Sequence, residues 1–289
     1  MSSFHLAGIV PVAAPSLDFG MDWDDCMMPL APNYTAIEHA VLECATAGCD
    51  TIWIVCNDDT KPLVRHRVGE YIQDPVWLGR TFDKHPSESR KPIPIFYVPI
   101  HPNDRDKRDC LSWSVVYGVA SVYHISKGLS KWVTPRKYYI SFPYGIYDTN
   151  LLREHRKKIS SEKSFCLVYD DKSVCEGEYL SFTMGEKEFF MIRDEIRKKG
   201  TGLYKGYHDE KLPIEERYSA RYFSLKDVFS VLNFDEASKI IPEWYYPIDS
   251  WNRYCEYLSS SESKGIQRPS KVLMSYHEWN KIGEDNYEP

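Results

Sequence analysis

Between Leu6 and Asp59 the chain writes out a complete strand, loop, helix and strand, and this unit limits the fold more than any other feature. The apolar run from Leu6 to Ala14 has the length and flanks of a buried strand. "TAIEHAVLECATAGC" follows, with Thr35 and Glu38 at capping-box spacing, Ile37, Val41, Cys44 and Ala45 on one face, and Gly48 where a left-handed C-cap belongs. "TIWIVC" is a second apolar strand that stops at Asn57-Asp58-Asp59. Two buried strands joined through a helix form a βαβ unit, with parallel pairing and a right-handed crossover.

The alternation continues. "RKPIPIFYVPI" reads as a strand, "CLSWSVVYGVASVYHISKGLSKWV" as a long helix, and "RKYYISFPYG" as a strand closed by a Pro-Tyr-Gly turn. A helix from about Thr149 to Ile159, a strand "SFCLVY" and a more irregular stretch to about Pro213 come next. "SARYFSLKDVFSVLNF" pairs a strand with a short helix capped by Ser224, and "WYYPIDSWNRYCEYL" pairs a turn with a helix capped by Asp249 or Ser250. The predicted class is α/β, with a mostly parallel Rossmann-like sheet covered on both faces. Residues 1–258 are expected to form this domain and 259–289 a polar C-terminal arm. Ligands of such sheets bind beyond the carboxyl ends of strands, here after residues 14, 56, 100 and 142.

Charge is distributed unevenly. Nine Asp or Glu precede Lys61, the first basic residue, so of 42 acidic groups 33 remain to face 36 basic ones in the rest of the chain. No broad basic face results, which argues against binding duplex nucleic acid. No run of 18 apolar residues exists and the start lacks a signal-peptide pattern, so neither a membrane span nor secretion is expected. The eight cysteines include no C-x-x-C pair and read as reduced thiols, which points to the cytoplasm.

Four stretches carry a family resemblance: "LAG" with "MPLAPNYTAIEHAVLECATAGCDTIWIVC", then "KYYISFPYGIYDTNLLREHRK", "SARYFSLKDVFSVL" and "EWYYPIDSWNRYCEYL". Their order over residues 6 to 258 resembles the sugar-phosphate nucleotidyltransferases, whose sheet is of the glycosyltransferase-A type. The chain is also similar to nucleotidyltransferase-like proteins of tailed bacteriophages, which would place it in the host cytoplasm. The resemblance implies transfer of a nucleotide from a nucleoside triphosphate to a sugar 1-phosphate, with magnesium as cofactor and pyrophosphate as product. It also implies those two phosphates as partners, with homo-oligomerisation open. A noncatalytic relative that binds nucleotide sugars or serves in assembly is the alternative.

The family's phosphate-handling residues are largely replaced. Gly8 stands at a family glycine, but "IVPVAAPS" follows it without a cation, and Pro11 and Pro15 remove two amide donors. Tyr144 stands where the first metal-binding aspartate would fall, with Asp148 four residues on, whereas Asp249 matches the second metal position. Magnesium is therefore expected on Asp249 and Asp148, the implied catalytic pair, although Asp249 could equally cap its helix. Arg105, Lys107 and Arg108 are the candidates for phosphate contact, or else a solvated loop of mixed charge. Trp113, with Tyr117 and Tyr123 at helical spacing, is read either as a base-stacking surface or as core. Asp18, Asp22, Asp24 and Asp25 either capture a divalent ion or form a solvated acidic loop.

Overall fold

A computed structural model describes residues 5–14, 17, 19–78, 91–108, 110–129, 134–200, 223–270 and 272–273. Its elements run β1 (Leu6–Pro11), β2 (Pro29–Ala31), β3 (Tyr34–Thr35), α1 (Ala36–Ala47), β4 (Thr51–Cys56), α2 (Lys61–Val68), β5 (Tyr71–Gln73), α3 (Pro75–Leu78), β6 (Pro92–Pro99), α4 (Pro102–Arg108) and α5 (Leu111–Leu129). The second half holds β7 (Lys137–Ile140), β8 (Gly145–Ile146), α6 (Leu151–Ile159), β9 (Phe165–Leu167), β10 (Phe182–Met184), α7 (Glu186–Gly200), α8 (Leu225–Phe229), β11 (Ser238–Ile240), β12 (Tyr246–Pro247), α9 (Trp251–Ser259) and α10 (Ser261–Gly265).

Eight strands form one sheet in the order β11-β9-β10-β7-β1-β4-β6-β5. The predicted βαβ unit is present, with β1 parallel to β4, and β6 and β7 extend the parallel centre. Antiparallel pairs enter through β10, between β9 and β7, and through β5 at one edge. The chain winds one way from β1 through β4 to β6, then returns by α5 to β7 on the other side of β1. That reversal puts α1 and α5 on opposite faces.

Side-chain alternation on β1 shows the two faces directly. A Cβ on Gly8 would lie 2.8 Å from Cys44 Sγ and 3.2 Å from Cys49 Sγ, on the α1 side. Ile9 faces the other way and reaches α5, where a Cβ on Gly118 would stand 3.0 Å from Ile9 Cγ2 and 2.7 Å from Val55 Cγ2. The glycines let both helices approach closely.

Helix α1 is buried on all sides, with every residue but Leu42 inside, so its polar residues need partners. Glu38 accepts from the Thr35 amide and hydroxyl at 2.9 and 3.0 Å, and also receives Arg67 Nε at 2.9 Å and Arg268 Nε at 3.0 Å. The Arg268 contact fastens the segment around it to α1. Nearby, the Gln73 amide donates to the Val272 carbonyl at 3.1 Å and Leu273 bridges Ile72. The described part of the expected polar arm is thus packed against the domain.

One expectation on local structure needs correction. The stretch read as irregular before Pro213 contains β10 and the 15-residue helix α7, whose Phe189, Ile192 and Ile196 recur at helical spacing. Of the two residues expected at the α9 cap, Ser250 takes the position, without a capping bond from its side chain. Asp249 instead pairs with Arg253 one turn on, at 2.9 Å. Ser224 does cap α8, through a bond from the Asp227 amide at 3.2 Å. The strand expected over 219–222 lies outside the described residues.

Gly8→Ala is expected to lower folding stability by about 1–3 kcal/mol through overpacking against Cys44. Cys44→Ala in the same chain should return part of that loss, so a double-mutant cycle by denaturant unfolding would show a coupling energy well above zero.

Candidate functional site

The reversal between β4 and β7 makes the carboxyl end of β1 the place where an open α/β sheet accommodates a ligand. Three segments meet there: Pro11–Ala14 after β1, Asn57–Asp59 after β4 and Ser141–Tyr144 after β7. Their capacity to hold an anion follows from a count of backbone donors. Pro11 has none. The Val12 and Ala13 amides both donate to the Val55 carbonyl, at 2.8 and 2.9 Å, and the Leu17 amide donates to Asp25 Oδ2 at 2.5 Å. The Ser114 hydroxyl donates to the Ala13 carbonyl and fixes this loop to α5. The amides of Val12, Ala13 and Leu17 are thus engaged within the protein.

Side-chain charge follows the same trend. Asp25 is nearly buried, and its carboxyl is pushed up by that burial and by neighbouring Asp24, against the pull of the Leu17 amide. Asp24 accepts from the Thr60 hydroxyl at 3.0 Å. Arg105 reaches the region from α4, but it faces Asp58 at 3.3 Å and Asp59 at 3.9 Å. A phosphate there would compete with two carboxylates for one guanidinium.

Tyr144 fills the position where the resemblance expects a metal-binding aspartate. Its ring is 4% exposed and meets Tyr179 edge-on at 5.7 Å between centroids. The phenol is held far above its ordinary value by burial first, then by Cys26 and Asp25 beside it. Gly145 must be glycine, because a Cβ there would stand 1.9 Å from the Tyr179 carbonyl oxygen.

Asp249 and Asp148 lie on either side of the same small ladder. Tyr246 pairs with Ile146 and Pro247 with Gly145, and the Ile248 amide donates to the Tyr144 carbonyl at 2.8 Å. Asp249 follows β12 and Asp148 follows β8, so in this antiparallel pair the two aspartates leave the ladder at opposite ends. Asp249 is engaged by Arg253, and among the described residues no group of three His, Cys, Asp or Glu side chains gathers.

The other predicted positions are dispersed. Gly8 lies inside β1 against the thiols of α1. Trp113, in the first turn of α5, lines a groove between α5 and α7 together with Tyr117 and Tyr123. Lys107 and Arg108 belong to the last turn of α4, with side chains outside the described set, and Asp18 lies outside it as well.

A cavity of about 610 Å³ opens elsewhere, between α1, α6 and the C-terminal segment, and Asp148 belongs to it. His39, Arg153, Trp244 and Glu262 share its wall. His39 Nδ1 lies 3.2 Å from the Tyr34 hydroxyl, and burial lowers the imidazole to about 4 against the opposing influence of Asp148. One turn on, buried Glu43 receives the Tyr139 hydroxyl at 2.8 Å and the Ser181 hydroxyl, and burial raises its carboxyl to about 7 despite those bonds. Neither His39 nor Glu43 belongs to a recognisable motif of the sequence. The available signal was three ionisable residues, Glu38, His39 and Glu43, in a helix otherwise apolar enough for complete burial.

Solved structures resemble the whole chain. One described as a glucose-1-phosphate thymidylyltransferase from Bacillus anthracis, in complex with a sucrose, matches 92% of this chain and 98% of its own at 10% identity and a TM-score of 0.54. A UDP-glucose pyrophosphorylase complexed with UDP-glucose matches 91% and 100% at 11% identity and a TM-score of 0.52. A UDP-glucose pyrophosphorylase from Acinetobacter baumanii matches 98% and 99% at 11% identity and a TM-score of 0.51. No family model and no curated protein sequence matches. The structural neighbours are sugar nucleotidyltransferases. At such identities they establish the fold, the Rossmann-like α/β sheet of that class.

The buried pair on α1 sets a pH dependence. Glu43, raised from 4.5 to about 7, stabilises the fold fully below pH 4.5 and loses that contribution as pH rises through 7. His39, lowered from 6.5 to about 4, stabilises fully above pH 6.5 and loses its contribution as pH falls toward 4. Between pH 4.5 and 6.5 the two slopes oppose one another. Glu43→Gln should therefore make the melting temperature fall on acidification across that window, and His39→Gln should make it fall on alkalinisation. Thermal melts at pH 4.5, 5.5 and 6.5 check both signs.

Proposed function

We propose that this protein is a divergent sugar-phosphate nucleotidyltransferase acting at the carboxyl end of β1. The observation that supports this reading is the likeness to solved sugar nucleotidyltransferases over at least nine-tenths of the chain, together with a strand reversal that opens at that point. A phosphate oxygen of the sugar 1-phosphate would attack the α-phosphorus of the triphosphate. The new P–O bond forms as the bond to the β-phosphate breaks, and pyrophosphate leaves with its electron pair.

The chain's own contribution is positioning and charge. Arg105 stands closest to this role, with Lys107 and Arg108 on the same helix to meet the departing pyrophosphate. Asp58 and Asp59 would have to release Arg105 as the triphosphate enters. Asp249 and Asp148 would be the carboxylates available to magnesium, which would neutralise phosphate charge, and no step is assigned to the ion itself. The partners are a nucleoside triphosphate and a sugar phosphate, in the cytoplasm, or in the host cytoplasm where the chain is phage-encoded. No described helix is long and apolar enough to cross a membrane.

One observation favours the second reading, a noncatalytic protein that binds a nucleotide sugar or serves in assembly. The loop amides after β1 are already bonded and Tyr144 occupies the expected metal position, so the electropositive part of the site is closed. Fold alone does not carry activity.

Incubation with magnesium, the four nucleoside triphosphates and a panel of hexose and pentose 1-phosphates, followed by a pyrophosphate assay, separates the readings. Release is expected for at least one pair, with Arg105→Ala lowering it by about 100-fold, the scale of losing one preorganised charge contact. No release from any pair, with a nucleotide sugar still raising the melting temperature, would establish the noncatalytic reading.

A further inference from the structure

The face of the sheet opposite α1 carries a second feature that the nucleotidyltransferase reading does not use. Helices α5 and α7 lie side by side there and leave a cavity of about 740 Å³ between them, floored by β7. Six aromatic side chains from three elements converge on it: Trp113, Tyr117 and Tyr123 from α5, Tyr138 from β7, and Phe189 and Phe190 from α7. Trp113 and Tyr117 stand one turn apart on α5, Tyr123 lies further along it, and Phe189 and Phe190 are sequence neighbours on α7. Tyr123 and Phe190 remain 39% and 41% exposed, so the aromatic lining reaches the surface. The volume falls within the range of small-molecule sites, which are mostly apolar with a few polar groups that fix orientation.

Those polar groups have a net sign. Arg136 and His124 stand at the mouth, both exposed, and Arg193 lies over the Phe190 ring at 4.8 Å while its guanidinium pairs with neighbouring Asp194 at 3.0 Å. Glu186 is the acid among the described residues of the wall. An aliphatic chain would fill such a groove without using the ring faces. A planar ring system would stack against them, and an attached anion would meet the guanidinium groups.

We propose that the α5–α7 groove is a binding site for a small planar aromatic anion, held by its ring between the α5 and α7 aromatics and by its charge at Arg136 and Arg193. The site lies across the sheet from the α1 cavity and is independent of activity at β1.

The test is a titration of the folded, full-length protein with 8-anilinonaphthalene-1-sulfonate, an aromatic sulfonate whose emission rises in apolar surroundings. Saturable binding of one probe per chain is expected, displaced by 2-naphthoate at least tenfold more strongly than by 2-naphthalenemethanol or dodecanoate. Ala120→Phe, which fills the groove from α5, should weaken probe and naphthoate alike by tenfold or more. Arg136→Glu, at an exposed position, should weaken naphthoate without weakening the neutral alcohol, with near-ultraviolet circular dichroism unchanged. Should Ala120→Phe not fold, Arg136→Glu decides by itself. Emission that never saturates, or naphthoate affinity unchanged by Arg136→Glu, overturns the proposal. Equal or stronger displacement by dodecanoate overturns it in favour of an acyl chain. A sedimentation velocity dimer that Ala120→Phe dissociates overturns it in favour of a second copy of the chain.

Discussion

The close approach of two helices to one strand sets the rest of the structure. β1 has parallel partners on both edges and a helix on each face, and at both faces a glycine removes the side chain that would hold the layers apart. Gly8 in the strand admits Cys44 of α1, and Gly118 in α5 admits Ile9 and Val55. The resulting density buries nearly all of α1, so its polar residues Glu38, His39 and Glu43 find their partners inside the protein, with His39 Nε2 and one Glu43 oxygen left unbonded. Each end of this helix is held by guanidinium. Glu38 at the amino end takes Arg67 and Arg268, and at the carboxyl end Arg156 donates to the carbonyls of Ala45 and Thr46 and forms a two-point pair with Asp74. Removing one partner from such buried pairs costs more than the pair contributes, because a charge is stranded.

These clamps connect the fold to the placement of the candidate sites. Arg268 brings the C-terminal segment across α1, and that segment forms one wall of the cavity containing His39 and Asp148. Arg156 ties α6 to the same helix, and α6 begins just after Asp148. Asp148 is therefore drawn toward the outer side of α1, whereas Asp249 follows β12 toward Tyr144. The packing that stabilises α1 is the same packing that separates the two aspartates.

Much of the architecture was legible in the sequence because period and punctuation agree there. The strand at Leu6, the helix from Thr35 to Gly48 and the strand at Thr51 each carry apolar spacing and end signals of one kind, and α5 is long and strongly periodic. The helix α7 was missed although its pattern is helical, since charged residues at both ends mask a narrow apolar stripe. The antiparallel insertion of β10 was illegible, because strand direction depends on partners far along the chain and β10 has three residues. The site was less legible than the fold for a related reason. Glu43 is distinguished by Tyr139 and Ser181, which lie 96 and 138 residues away, and no local pattern announces that meeting.

The opening of the sheet at β1 is lined by carboxylates, Asp24, Asp25, Asp58 and Asp59, with Arg105 paired to the last two. In a dry site a phosphoryl group needs donors already aimed at it, since reorienting them during reaction forfeits the advantage of a folded protein. Here the Val12 and Ala13 amides are turned inward to the Val55 carbonyl, and backbone bonded to backbone in this way cannot be redirected by exchanging one side chain. Positive charge can still arrive on a side chain with reach, and Arg105 of α4 is such a group. Arg105 already makes that approach and is held there by Asp58 and Asp59. These two carboxylates lower the electrostatic potential a triphosphate would meet, yet they also keep the guanidinium positioned over the opening. Under the proposed activity, entry of a triphosphate would be an exchange of anions at a cation held in place, and its strength would depend on how far solvent already screens the Asp58 and Asp59 pairs.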